Sequence, residues 1–166
     1  MYKLEIEETE FDFCGLSGRD VTDMIVIHHT GNGEDVDADA ESIHRYHLSI
    51  GYLGIGYHFV VRKDGTIERG RPEWAEGSHA YGENHHTLGI HLSGDFTFAE
   101  PTEKQIENTA LLIAHLCTDY SIPMDRAHIV GHREVNSDTD CPGNNLQKLL
   151  DEIVGKAIWY TQNPVY

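Results

Sequence analysis

The segment GYHFVVRKDGTIERG (56–70) constrains the fold more than any other stretch of this chain. Two runs rich in β-branched and aromatic residues flank Lys63-Asp64-Gly65, and an Asp-Gly pair between such runs predicts a β-hairpin. A hairpin forces one antiparallel pairing. Around it, strand and helix patterns alternate, the signature of parallel pairing through helical crossovers. DMIVIHHT (23–30) reads as a buried strand, a short β-branched run bounded by polar turn residues. DVDADAESIHRYHLSI (35–50) reads as a helix, with an acidic first turn and Ile43, Tyr46, His47 and Ile50 at helical spacing. TLGIHLSG (87–94) is a further strand. PTEKQIENTALLIAHLCTDYS (101–121) is a long amphipathic helix opening at Pro101 and Thr102, with Ile106, Ala110, Ile113, Ala114 and Cys117 on its apolar face. AHIVGH (127–132) is a short strand, and CPGNNLQKLLDEIVGKAIW (141–159) is a turn, an Asn cap and a last helix. The order β, α, hairpin, β, α, β, α predicts an α/β domain of two or three layers on a mixed central β-sheet flanked by helices. The segment before Asp23 is expected to be partly extended, and TQNPVY after Tyr160 to be a frayed end or the start of a linker.

At 166 residues the expectation is one domain over 1–166. A formal net charge of −16 disfavours nucleic acid and anionic membrane surfaces, both of which need a Lys/Arg face. No apolar run approaches the ~18 residues of a membrane span. The start MYKLEIEETEFDFCG lacks the basic end and apolar core of a secretory signal. A monomer is the default expectation.

The chain has 12 histidines, several of them beside Gly, Thr or Asn at strand ends, where sites tend to be built. The first long strand ends in His28-His29. Neighbours on a strand point to opposite faces, so at most one of the pair serves a given site. His132 follows a later strand, and Cys141 stands nine residues on, in the polar turn DTDCPGNN. The chain's 3 cysteines form no disulfide framework; Cys117 reads as a small core residue. A histidine of the HH pair, His132 and Cys141 could converge on a metal. Nitrogen and sulfur donors suit zinc, and three protein ligands leave a fourth position for water.

Four blocks in order, IVIHHTG, GYHFVVRKDGTI, GSHAYGENHHTLGIHLSGDF and VGHREV with TDCPG, resemble the zinc-dependent N-acetylmuramoyl-L-alanine amidases. This type 2 amidase family includes bacteriophage amidase-type lysozymes and the animal peptidoglycan recognition proteins. The resemblance runs from about Thr22 to Leu150. It implies a mixed sheet with a Zn2+ in a surface groove, held by His28, His132 and Cys141. It implies catalytic roles for Tyr57 and for Thr139, two positions before the cysteine, and a groove position for His79. A subgroup carries a glutamate where this chain has His91, so a glutamate base is absent there. The implied reaction is hydrolysis of the amide between N-acetylmuramic acid and L-alanine in peptidoglycan. A lytic enzyme that accumulates in the cytoplasm and reaches the wall after release fits the lack of a signal. A cytosolic enzyme recycling wall fragments, or a binding module without catalysis, are the alternatives.

The other residues carry plainer expectations. His29 faces away from the site or supports it from behind. His44 and His47 lie on a helix as surface or packing residues, His58 points away from Tyr57, and His115 and His128 are structural. His85 and His86 divide between surface and substrate contact, and His91 between a buried and a groove-facing position. Asn84 is an expected substrate contact. Trp74 is either a core aromatic or a sugar platform, and Glu134 a solvated loop charge.

Overall fold

A computed structural model describes residues 2–163. Five strands form one mixed sheet in the order β3-β2-β4-β1-β5. They are β1 (Met24–His29), β2 (Phe59–Val61), β3 (Ile67–Arg69), β4 (Thr87–Leu92) and β5 (Ile129–Gly131). The β2–β3 hairpin supplies the antiparallel pair, and β2–β4, β4–β1 and β1–β5 are parallel. The helices are α1 (Ala40–Ser49), α2 (Glu103–Tyr120), α3 (His132–Val135), α4 (Asn144–Gln147) and α5 (Leu150–Gln162). The sheet is mixed, as the hairpin required.

Strand alternation sorts the interior. Ile25, Ile27, Leu88, Ile90, Phe59 and Val61 share one core with α2 and α5. Val60 packs with Ala40 and Ile43 of α1, and Val26 and Val130 pack against Ala80, in two smaller clusters. Thr102 caps α2 by accepting from the Gln105 amide, while the Gln105 side chain accepts from the Thr102 amide. The same Gln105 donates to Val61 O and Ser93 O, fastening the helix to the sheet.

Several expectations need correcting. The first helix starts at Ala40, capped by Asp39, whose carboxylate accepts from Ser42 N. Asp35 and Asp37 lie before it and bind Lys63 and Arg62, because a cation within reach outcompetes a helix dipole. Tyr46 and Ile50 are exposed, and only Ile43 and His47 of the expected stripe are buried. The last helix is two: α4 breaks at Lys148–Leu149 before α5 begins, and Gly143, not an asparagine, precedes it. Of the expected loose tail, Thr161 and Gln162 belong to α5, and 164–166 lie outside the described residues.

Buried histidines serve as acceptors for backbone amides. Gly56 N donates to His47 Nδ1 and Gly89 N to His58 Nδ1, so both rings must be neutral. Burial holds His47 at about 4, and His58 and His91 at about 3, against an ordinary 6.5. In the unfolded chain each binds its proton near 6.5. Between that pH and the folded values the unfolded state carries more protons, so stability is full above about 6.5 and falls as the pH drops. The slope is about 1.4 kcal/mol per pH unit for each histidine. The urea midpoint is therefore expected to fall steadily from pH 7 to pH 4; a flat midpoint over that range would remove this account.

Candidate active site

The parallel strands β1, β4 and β5 all end at one edge of the sheet, and the segments leaving those ends build a cleft there. One lobe has a volume of about 620 Å³ and is lined by His28, Asn32, Asp95, Phe98, Thr139 and Cys141 among others. The other, about 300 Å³, is bordered by Tyr52, His79, Tyr81, Asn84 and Asn136. Tyr57 and His132 line both lobes and mark their junction.

Backbone placement brings the donors together. His28 is the penultimate residue of β1, and His132 leaves the end of β5 as the first residue of α3. The β1 register sets Ile27 opposite Gly131. A Cβ at Gly131 would stand 2.0 Å from Gln147 Oε1 and 3.0 Å from Pro142 Cδ. A side chain there would displace the Gln147 amide and crowd Pro142, the neighbour of Cys141, so glycine favours the close approach of this segment to β5. The loop is also fastened by Arg133 N donating to Cys141 O at 2.8 Å and by Arg133 donating to Asp140 O. Glu134, expected as a solvated loop charge, is exposed but bonded in α3: it accepts from Gly131 N, Arg126 and Gln147.

One ligating atom from each of His28, His132 and Cys141 lies within 4.8 Å of the other two. His28 Nδ1 is 3.7 Å from Cys141 Sγ. A tetrahedral zinc, with bonds of about 2.0 Å to nitrogen and 2.3 Å to sulfur, sets such a pair roughly 3.5 Å apart. Hydrogen bonding behind His28 fixes which nitrogen is free. Thr87 Oγ1 donates to Glu83 O at 2.8 Å, so at its 3.2 Å contact with His79 Nε2 it must accept. His79 then carries its proton on Nε2, and its Nδ1 accepts from His28 Nε2 at 2.9 Å. The lone pair of His28 is left on Nδ1, the atom facing Cys141. Burial holds both His28 and His79 well below their ordinary pKa, so both are neutral, the form a metal requires. Burial also pushes the Cys141 thiol up to about 12, while the His29 amide, donating to Sγ at 3.4 Å, pulls it down. A neutral imidazole aimed by a second histidine and a buried thiol whose sulfur already accepts from a backbone amide fit a zinc ion, whose charge would stabilise the thiolate.

His79 therefore stands behind His28 as well as on the wall of the smaller lobe. Gly89 makes room for it: a Cβ there would lie 2.6 Å from the His79 ring. Asn84 Oδ1 accepts from His79 N and Ala80 N at 2.9 Å each, holding the loop that carries the ring. Orienting groups of this kind are worth about 10- to 100-fold in metal affinity. His79→Ala is expected to weaken zinc binding by about that factor, measured by competition with a chromogenic chelator. Unchanged affinity would reduce His79 to a wall of the lobe.

Tyr57 stacks at a tilt on His28, with ring centroids 4.9 Å apart, and burial raises its pKa, so the phenol keeps its proton. Thr139 Oγ1 accepts from Cys141 N at 3.2 Å, which leaves its own proton to give. His29 alternates with His28 and accepts from Phe96 N through its Nδ1, yet at the strand end it still lines the larger lobe. His91 is buried with Nε2 3.0 Å from Thr30 Oγ1 and does not border the cleft. His44 is a buried packing residue that accepts from Ile55 N; His47, expected as a surface or packing residue, is buried but also lines the smaller lobe; His58 bonds the backbone of Gly89 and Ala75, His115 bonds Tyr2 O, and His128 bonds Asp125. His86 bridges Asp23 and Glu83, and His85 is exposed beside it; neither lines the cleft. Trp74 is 58% exposed and lines neither lobe, so it is neither core nor groove. Its neighbours account for this: Arg19 takes the backbone carbonyls around it and leaves the indole outside. Sequence reasoning missed Phe98, Tyr52, Tyr81 and Asn136, which lie in irregular segments and carry no local pattern.

The family model for N-acetylmuramoyl-L-alanine amidase matches residues 17–144. The chain belongs to the N-acetylmuramoyl-L-alanine amidase family. The amidase LysC from Clostridium intestinale URNW superposes with a TM-score of 0.83 at 38% identity, over 93% of this chain and 97% of that one. The endolysin of Escherichia phage T7 is 35% identical over 115 residues, 66% of this amidase and 76% of the phage protein. The ectodomain complex of peptidoglycan recognition proteins LCa and LCx, solved with tracheal cytotoxin, superposes with a TM-score of 0.78 at 26% identity, over 89% of this chain and 95% of that one. Among the described residues of the amidase, no helix is long and apolar enough to cross a membrane.

Proposed function

We propose that this amidase hydrolyses the amide joining N-acetylmuramic acid to L-alanine in peptidoglycan, with Zn2+ held by His28 Nδ1, His132 and Cys141 Sγ. The observation that carries the reading is the convergence of these three donors at the junction of two lobes, with Tyr57 on the same junction. When bound, zinc supplies acidification of a water and polarisation of a carbonyl. The chain's own groups do the remainder. A scissile amide at the junction sends the saccharide side into one lobe and the stem peptide into the other. The Tyr57 phenol, kept protonated by burial, donates to the oxyanion as it develops. The Thr139 hydroxyl, anchored through its oxygen on Cys141 N, orients the attacking water or the carbonyl. His91, buried and bonded to Thr30, takes no part in proton transfer.

The complex of recognition proteins with tracheal cytotoxin supports a muropeptide as ligand of this fold. Similarity to a phage endolysin supports action on the cell wall as a lytic enzyme after release from the cytoplasm. The test is the appearance of new L-alanine amino termini, by amino-group labelling, when zinc-loaded protein meets purified peptidoglycan or a soluble muramyl peptide. Bound zinc and bound fragment without new amino termini would make the protein a recognition module instead.

A further inference from the structure

On α5, Glu152, Gly155, Lys156 and Trp159 stand at i, i+3, i+4 and i+7 and share one face. With Glu107 of α2 and Tyr160 they line a groove of about 510 Å³ that has no residue in common with the cleft. A hollow of about 300 Å³ continues it along α2 past Glu103 and Ile106. Two features of this groove have no explanation in packing. Gly155 lies inside a helix, where glycine costs about 1 kcal/mol relative to alanine. Yet a Cβ at Gly155 would meet nothing within 4 Å among the described residues. Trp159, one turn later, is 50% exposed. Gly155 and Trp159, four residues apart on one helix face, line the same groove, and the space in front of Gly155 is open among the described residues. Its ring is steadied by Tyr2, at 5.9 Å between centroids, and by Tyr160, at 5.6 Å. The result is a supported aromatic face with an open notch in front of it.

We propose that this groove is a second, non-catalytic site that binds the N-acetylated saccharide strand of the wall, with Trp159 as its stacking platform. A pyranose ring offers an apolar C–H face and a rim of hydroxyl and acetamido groups. The indole accepts the face. Glu107 and Glu152 accept from the hydroxyls, and Lys156 donates to hydroxyl or acetyl oxygens. An apolar helix from a second copy would take the carboxylates of Glu107 and Glu152 and the ammonium of Lys156 out of water, with only Glu107 held by a cation, Lys104, among the described residues, which disfavours it as the occupant. A polyanion is repelled by the same carboxylates and by the net charge of −16. The inference rests on the reading that peptidoglycan is the substrate. It adds a hold on the glycan that persists after each stem peptide is cut, keeping the enzyme on an insoluble polymer.

The test fills the notch. Gly155→Leu places a side chain in front of the indole and introduces a better helix former than glycine, so the fold is kept. The chain has 2 tryptophans, so Trp74→Phe leaves Trp159 as the sole indole reporter. In that background a tetramer of N-acetylglucosamine is expected to shift the fluorescence saturably, and Gly155→Leu to weaken binding about tenfold or more. Trp159→Gln, which does not touch position 155, is expected to lose retention on wall glycan stripped of peptide. Gly155→Leu in the otherwise natural chain is expected to slow release from insoluble walls several-fold while kcat/KM on a soluble muramyl peptide stays unchanged. Absence of soluble activity in both proteins would defeat the amidase reading and leave the sugar titration to judge the groove alone. The proposal is overturned by no saturable shift, by a titration that Gly155→Leu leaves unchanged, or by sedimentation showing that the natural chain dimerises and the Gly155→Leu variant does not.

Discussion

Cys141→Ser is expected to purify without stoichiometric zinc and to release peptide from walls at least about 10³-fold more slowly, since the Lewis acid supplies several kcal/mol of transition-state stabilisation. The physical reason is that the site is built around sulfur. Sγ stands 3.7 Å from His28 Nδ1 and accepts from the His29 amide at 3.4 Å. A serine oxygen is a harder and far less acidic donor on a shorter bond, so it offers neither the reach nor the charge. Metal content by atomic emission and amino-terminus release by labelling are read on the same preparation. Full hydrolysis by metal-free Cys141→Ser protein would end the zinc reading, whereas zinc retained with activity lost would move Cys141 from ligand to chemistry.

Tyr57→Phe is expected to keep its zinc and lower kcat by about 10²-fold with little change in KM, the pattern for a donor used only in the transition state. The ring itself should remain in place, because it packs between His28, His91 and His47 with centroid distances of 4.9, 4.8 and 5.5 Å. The variant therefore removes one oxygen and no packing. An unchanged kcat would leave oxyanion stabilisation to the metal and to Thr139. A raised KM at constant kcat would make the phenol a ground-state contact instead.

The three donors that the structure brings together were legible in the chain because they sit where local patterns change. His28 ends a β-branched run, His132 follows Gly131 at the end of another, and Cys141 opens a Pro-Gly turn. Motif order then selected His28 over His29. The structure supplies the reason: β1 turns alternate side chains to opposite faces, and His29 spends its Nδ1 on the Phe96 amide. The role of His79 behind His28 was not legible. It depends on Thr87, Glu83 and a ring held against Gly89, none of which bears on His28 in sequence. For Trp74 the core alternative fails, since it is exposed and lines neither lobe, because an aromatic residue type says nothing about which side of a loop the backbone leaves open. The last helix divides at Lys148–Leu149 although its apolar spacing and its right-handed dihedrals continue, because Leu149 N bonds Leu146 O, three residues back instead of four.

By itself the sequence determined the element order, the mixed sheet and the residue types of the proposed zinc site, because hairpin turns, strand alternation and helical spacing are local and are set by sterics and by which faces shed water. Tertiary structure alone decided that His28 and Cys141, 113 residues apart, come within 3.7 Å of each other, that Nδ1 is the free nitrogen of His28, and that two lobes meet at Tyr57. Those facts depend on loops closing across parallel strand ends and on a glycine narrow enough to let them. Contacts so distant along the chain leave no periodic trace in it.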